Sequence, residues 1–115
     1  MNFGKCFLLS LTLFIGTANA AYIGNVESKK MFGSTAILFG VANPPTDTCD
    51  YFGRHFYFDA TTDSGKNMLS MLLAAEMANR KINVWYVEST APQTTEKNGC
   101  VQSSMAKVES IGFSD

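Results

Sequence analysis

One segment constrains this chain more than any other. SGKNMLSMLLAAEMANRKINVWYV, residues 64 to 87, carries the only sustained helical pattern in the sequence, and a strand follows it at once. Thr62, Asp63 and Ser64 each offer an N-cap oxygen, and the spacing predicts a helix from Gly65 to Asn79. At about 100° per residue, Met68, Met71, Leu72, Ala75 and Ala78 gather on one arc, enough to seat the helix on a sheet. Leu69, Leu73 and Met77 form a second, narrower stripe. Glu76 and Arg80 stand four apart in the favourable orientation.

The remaining apolar runs are short and read as strands. Tyr22 to Ser28 has strand polarity with imperfect alternation, and Thr35 to Val41 is rich in strand formers. His55 to Ala60 alternates clearly, with Phe56, Phe58 and Ala60 on one face and His55, Tyr57 and Asp59 on the other. Lys81 to Ser89 sets Ile82, Val84 and Tyr86 opposite Asn83, Trp85 and Val87. Ala106 to Ser114 is a last strand whose apolar parity slips between Val108 and Ile111, predicting a bulge or an early end. ANPPTDTCD and APQTTEKNG read as loops. The expected fold is mainly β with one helix, ordered β-β-β-α-β-β. That is the order of an OB-fold, a five-stranded Greek-key barrel with a helix between its third and fourth strands. An α+β sandwich with the same order is the rival.

Residues 1–20, MNFGKCFLLSLTLFIGTANA, read as a secretory signal peptide with Lys5, an apolar stretch from Phe7 to Ile15, and a small-x-small site at Ala18-Asn19-Ala20. The apolar stretch is shorter than the roughly 20 residues that span a bilayer, so no membrane span is expected in the mature chain. Residues 21–115 are expected to form one domain, secreted or periplasmic. Without Lys5, eight of the nine Lys and Arg face ten Asp and Glu. With no basic stripe to neutralise phosphates, nucleic acid is not an expected partner.

Cys6 leaves with the leader, and Cys49 and Cys100 remain. In an oxidising compartment two such cysteines pair. The strand order brings the loop after the second strand and the loop after the fourth to the same end, which suits that bond. Metal chemistry is not expected, since His55 is the only histidine and the cysteines lie far apart.

Gly65-Lys66, Met68-Leu69-Ser70, Leu73-Ala74-Ala75, Lys81 entering the strand, the early GNVES, the cysteines around the third and fourth strands, and KVESIGF near the end together resemble a known family. They are similar to exported proteins related to the B subunits of subtilase-cytotoxin and pertussis-toxin type assemblies. The resemblance implies an OB-like barrel, a homo-pentameric ring whose helices line a pore, glycan binding on the barrel wall, and a catalytic A-subunit partner. In that arrangement Leu69, Leu73 and Met77 form a subunit interface; in the alternative, both helix stripes lie within one monomer's core. The chain departs from the better-known B subunits in being shorter and in having one disulfide.

No cluster of residues announces a reaction. Asp47, Asp50, Asp59 and Asp63 lie near turns, where carboxylates cap. A triad drawn through His55 and Asp59 lacks a nucleophile elbow around Ser70, and His55 reads as a half-exposed strand residue. The outward aromatics carry more. If Phe56, Phe58, Ile82 and Val84 face inward, Tyr57 and Trp85 face outward, as stacking surfaces for sugar C–H faces. Asp50, Tyr51, Arg54 and Asn83 are the polar companions expected for the hydroxyls. The alternative puts Trp85 beneath the loop containing Asn98. The expectation is a non-catalytic, cofactor-free recognition protein for a glycan or cell-surface ligand, with a monomeric periplasmic interaction or inhibitor protein and a small hydrolase as rivals.

Overall fold

A computed structural model describes residues 20–114. The chain forms β1 (Ala20–Val26), β2 (Ser28–Gly33), β3 (Ala36–Val41), β4 (Phe56–Asp59), α1 (Asp63–Ala78), β5 (Ile82–Val87) and β6 (Ala106–Phe113), with a 3-10 turn at Gln102–Ser104. The six strands make one open sheet in the order β1-β5-β6-β4-β3-β2. Neighbours are antiparallel except β4 and β6, which are parallel. The leader segment lies outside the described residues apart from Ala20, which begins β1.

The fold is mainly β with one helix, as expected, but the strand count and closure differ. Residues 28–33 form a sixth strand beyond the five expected. Ser28, Lys29 and Lys30 hide it, because a polar run lacks the alternation that marks a half-buried strand. Lys30 stands at φ 54°, and the register with β3 shifts between Lys29 and Phe32. Lysines and a bulge on an edge strand keep other chains from pairing with it.

The two edges, β1 and β2, are separated in sequence by Glu27 alone. Six strands laid flat would put their outer members about 24 Å apart at ~4.8 Å per spacing. Two Cα steps reach no more than roughly 7.5 Å. The sheet must therefore curl until its edges meet at Glu27, although no ladder joins them.

The curl has an inside. Ile37, Phe39 and Val41 of β3, Phe56 and Phe58 of β4, Ile82, Val84 and Tyr86 of β5, and Ala106, Val108 and Ile111 of β6 are all buried there with Leu72 and Ala75 of α1. Strand parity is as read from the sequence. The slip in β6 is a bulge: Trp85 pairs with Ser110 and Tyr86 with Val108, leaving Glu109 unpaired.

The helix starts two residues earlier than expected. Thr62 is the N-cap, its Oγ1 accepting from Gly65 N at 2.9 Å. Asn79 closes the helix in the left-handed region, and its own N–H and that of Arg80 donate to Glu76 and Ala75 carbonyls. Gly65 is required by contact, because a Cβ there would strike the Asp59 carbonyl oxygen at the end of β4. Leu72 and Ala75 are buried, and Met68 and Met71 are half-buried. Ala78, expected on the same arc, is exposed.

The second stripe divides. Leu69 packs against the core, whereas Leu73 is 44% and Met77 87% exposed. A single core holding both stripes is therefore not what the helix forms. Glu76 and Arg80 take other partners: Glu76 Oε2 accepts from Ser28 Oγ at 3.0 Å, and the Arg80 guanidinium lies 4.4 Å from the Phe113 ring centre.

On the outer face of β3 and β4 a second cluster gathers Leu38, Cys49, Cys100 and Met105, flanked by Ala36, Tyr51 and Tyr57. Cys49 and Cys100 are disulfide-bonded, with Cα atoms 5.8 Å apart. Backbone bonds sew the same two loops together, from Ser89 N to Asp47 O, Gln93 N to Thr48 O and Asp50 N to Thr94 O, each within 2.9 Å.

Two stability outcomes follow. Replacing both Cys49 and Cys100 by alanine is expected to cost about 4 kcal/mol in urea unfolding, the loop-closure value for a 51-residue separation. On α1, Leu72→Ala should cost roughly 3 kcal/mol, whereas Met77→Ala should stay within about 0.5 kcal/mol. A large loss for Met77→Ala would mean that the residue is covered in solution.

Candidate functional site

The sequence supplies the site through register. β1 pairs antiparallel with β5, and Tyr22 lies directly opposite Trp85. Both belong to the outward set, since Ala21 and Ile23 on β1 and Val84 and Tyr86 on β5 pack against the core. Tyr22 is 53% and Trp85 42% exposed. Their ring centres are 5.0 Å apart with planes at 49°, an open V.

Two glycines shape the surface under the rings. A Cβ on Gly112 would come within 3.7 Å of the Trp85 ring, and one on Gly24 would run into the Tyr22 hydroxyl. Both rings thus lean along the sheet over positions without side chains. This aromatic cover of glycine stabilises strands in its own right, and it leaves ring area facing solvent. Asn83, one outward position from Trp85, accepts from Asn25 N through Oδ1 at 3.0 Å. That bond fixes the amide orientation and leaves its NH₂ group to donate. Ser110 stands opposite Trp85 on β6 and is exposed.

The six expected ligand residues do not converge. Asn83 and Trp85 belong to this surface, joined by Tyr22, which the sequence reading did not select. Its signal was weak, because β1 alternates imperfectly and no local feature names its partner on β5. Trp85 is 42% exposed, with its ring beside Tyr22 and Gly112. Asn98 caps its own turn, its Oδ1 accepting from Thr95 N at 2.6 Å. Tyr57 is half-buried beside the disulfide cluster, and β6 separates its strand from β5.

Asp50, Tyr51 and Arg54 sit elsewhere, in a tight turn. Tyr51 and Arg54 exchange backbone bonds of 2.8 and 3.0 Å, with Phe52 at φ 55° and Gly53 at φ 86°. Positive φ at both central residues suits the right-handed twist of a two-residue hairpin, and it is an unusual conformation for phenylalanine. The turn is held from two sides: Asp50 Oδ1 accepts from Gly53 N at 2.6 Å and Glu96 Oε1 from Phe52 N at 3.1 Å. The latter bond keeps the Glu96 carboxyl below its ordinary pKa. The Arg54 guanidinium lies 5.1 Å from the Phe32 ring centre and donates from Nε to Lys30 O. Phe32, Arg54 and the exposed Phe52 form a second aromatic surface, distinct from the first.

The triad through His55 and Asp59 does not assemble. His55 is buried rather than half-exposed, and its Nδ1 accepts from Val41 N at 3.2 Å. The ring is thereby neutral with its proton on Nε2, and desolvation lowers its pKa. Asp59 Oδ1 accepts from Thr61 Oγ1 at 2.6 Å and Thr61 N at 2.8 Å, which lowers its pKa in turn. Asp47 accepts from the buried Tyr86 hydroxyl at 2.8 Å. Burial, followed by that bond, pushes the Tyr86 pKa far up. The carboxylates serve turns and a core tyrosine.

A cleft of about 390 Å³ runs between the first turns of α1 and β6, lined by Asp59, Thr62, Ser64, Met68, Lys107 and Glu109 among others. Its charges are of both signs. Among the described residues no three His, Cys, Asp or Glu side chains are grouped to hold a metal ion, and no helix is long and apolar enough to cross a membrane. In comparisons with protein families, curated proteins and solved structures, no family model, no curated protein and no solved structure matches the chain.

His55 gives a pH prediction. Well above pH 6.5 its imidazole is neutral in the folded and unfolded chain alike. On acidification the unfolded chain takes up the proton first, so stability falls as pH drops from the ordinary value of 6.5 through the lowered folded one. Urea midpoints should therefore decline from pH 7.5 to 5.5. In His55→Asn, whose Oδ1 can accept from Val41 N, that decline should be flattened. An unchanged decline would assign it to other groups.

Proposed function

We propose that this chain is an exported, non-catalytic recognition protein, similar to a toxin B subunit, that binds a glycan or other cell-surface ligand. The observation that carries the reading is the exposed Tyr22–Trp85 pair, two aromatic rings held over glycines on a curled sheet. Solvent-facing aromatics on a rigid scaffold lose little freedom on binding, and sugar C–H faces stack on them.

The scaffold reads as an OB-like barrel in which β1 and β2 act as one bent first strand, broken at Glu27. Taken so, the order becomes β-β-β-α-β-β, with the fourth strand antiparallel to the first. The disulfide suits a secreted or periplasmic setting. Leu73 and Met77 would face a neighbouring subunit in a ring, which would raise avidity for weakly held sugars. An A-subunit partner belongs to the same reading.

A second reading, a monomeric interaction or inhibitor protein, is favoured by the Phe32–Arg54–Phe52 surface. Aromatic side chains and arginine are the residues that most often dominate protein–protein contacts.

A glycan array with the oxidised chain tests the first reading. Trp85→Ala is expected to abolish each hit and Tyr57→Ala to leave it intact; hits that survive Trp85→Ala would remove the platform. Light scattering separates the assemblies, since a mass several times that of one chain is expected for a ring. A stable monomer at micromolar concentration would turn the assignment toward the Phe32–Arg54–Phe52 surface.

A further inference from the structure

The Tyr22–Trp85 surface differs from the rest of the exterior in its charge. Its outward positions are Tyr22 and Gly24 on β1, Asn83, Trp85 and Val87 on β5, and Ser110 and Gly112 on β6. None carries a formal charge. The nearest ionised groups along β6 are Lys107, which pairs with Val87 at the end of this surface, and Glu109, of opposite sign, which borders a groove beside α1 together with Ser110. At the other end Arg80 is engaged over Phe113 and Lys81 shares a cleft with Glu27. By contrast, Lys30 and Arg54 crowd the separate turn at Gly53, where the Lys30 chain lies within 3.3 Å of a Cβ position.

The charge pattern limits what the rings can hold. A carboxylated sugar seated against two aromatic faces loses hydration from its charge, and no cation is in register with Tyr22 or Trp85 to compensate that loss. A neutral pyranoside has no such penalty. Its C–H face covers the Trp85 ring with Tyr22 as the second wall, and its hydroxyls meet one amide donor on Asn83 and the hydroxyls of Ser110 and Tyr22. A buried donor without a partner costs more than a bond contributes, so hydroxyls that match these groups discriminate among neutral sugars. The glycines beneath the rings let both rings lie along the sheet.

We infer that the Tyr22–Trp85 surface is a subsite for one neutral pyranoside ring and discriminates against carboxylated sugars. The inference rests on the glycan-binding reading above and narrows its ligand class.

Trp85 is the only tryptophan in the chain, so its emission reads this surface directly. The oxidised full chain is titrated with methyl β-galactopyranoside, methyl β-glucopyranoside and methyl α-mannopyranoside, then with methyl glucuronide and the methyl glycoside of N-acetylneuraminic acid. At least one neutral glycoside should change the emission saturably, with a Kd on the order of 1 mM. Raising NaCl from about 0.05 to 0.5 M should leave that Kd unchanged, because screening acts only on charge. The acidic sugars should bind at least roughly tenfold more weakly. Ligand-observed NMR extends the measurement to variants without tryptophan. Trp85→Ala should abolish binding and Tyr22→Ala weaken it about fivefold or more, with an intact disulfide and thermal transition as folding controls. If Trp85→Ala fails to fold, Tyr22→Ala and Trp85→Phe carry the comparison.

Preferential, salt-sensitive binding of the acidic sugars that still depends on Trp85 would overturn the neutral assignment while leaving the aromatic surface as the site. Silence with every sugar, or binding indifferent to Tyr22 and Trp85, would overturn the glycan reading itself and this inference with it.

Discussion

The junction at Glu27 governs the architecture. Strands that occupy opposite edges of a six-stranded sheet are one residue apart in the chain, and a flat sheet cannot satisfy that distance. Curling gives the sheet a concave side, and the largest buried side chains, Phe39, Phe56 and Phe58, stand on adjacent strands inside it. Phe39 and Phe56 have ring centres 5.4 Å apart, and Phe56 meets Tyr86 edge-on at 5.0 Å. The helix contributes Leu72 and Ala75 to the same interior. Gly65 lets its first turn approach the end of β4 closely.

The convex side is used in two ways. Over β3 and β4 it is covered by the loops that Cys49 and Cys100 join, with Leu38 and Met105 beneath them. Over β1, β5 and the end of β6 it is bare, and there the aromatic pair stands. The disulfide and its loop bonds therefore do more than stabilise, because they determine which outward residues remain accessible. Tyr57 and Trp85 both lie on the outer side of their strands, yet only Trp85 is exposed. Tyr57 falls under the disulfide cluster.

The same loops create the second surface. Asp50 and Glu96 hold the Phe52-Gly53 turn through its backbone N–H groups, and one of those carboxylates comes from each of the two loops. Phe52 is kept in a conformation that costs a bulky side chain energy, with its ring outward. Gly40 is what lets this turn lie against β3, since a Cβ there would strike the Gly53 carbonyl. Two aromatic surfaces on one small domain, one uncharged and one bearing cations, are chemically suited to different ligands.

Much of this was legible in the residues. Thr62, Asp63 and Ser64 announce a helix within two residues of its start, and Phe56/Phe58 and Ile82/Val84/Tyr86 point inward by alternation. The slip before Ile111 marks the bulge, and Cys49 meets Cys100 because strand direction carries both loops to one end. These features depend on a neighbour a few residues away or on the direction of a strand, and a linear pattern encodes both. What the sequence could not determine is which residues meet across the sheet. Tyr22 joins Trp85 only through the β1–β5 register, 63 positions away in numbering. Asp50, Tyr51 and Arg54 part from Asn83 and Trp85 because the disulfide loops fold over a different pair of strands. β2 becomes a strand by pairing with β3 despite its lysines, and Met77 stays exposed because the concave interior is already filled. Register and cover are properties of assembled strands, so tertiary structure alone decided them.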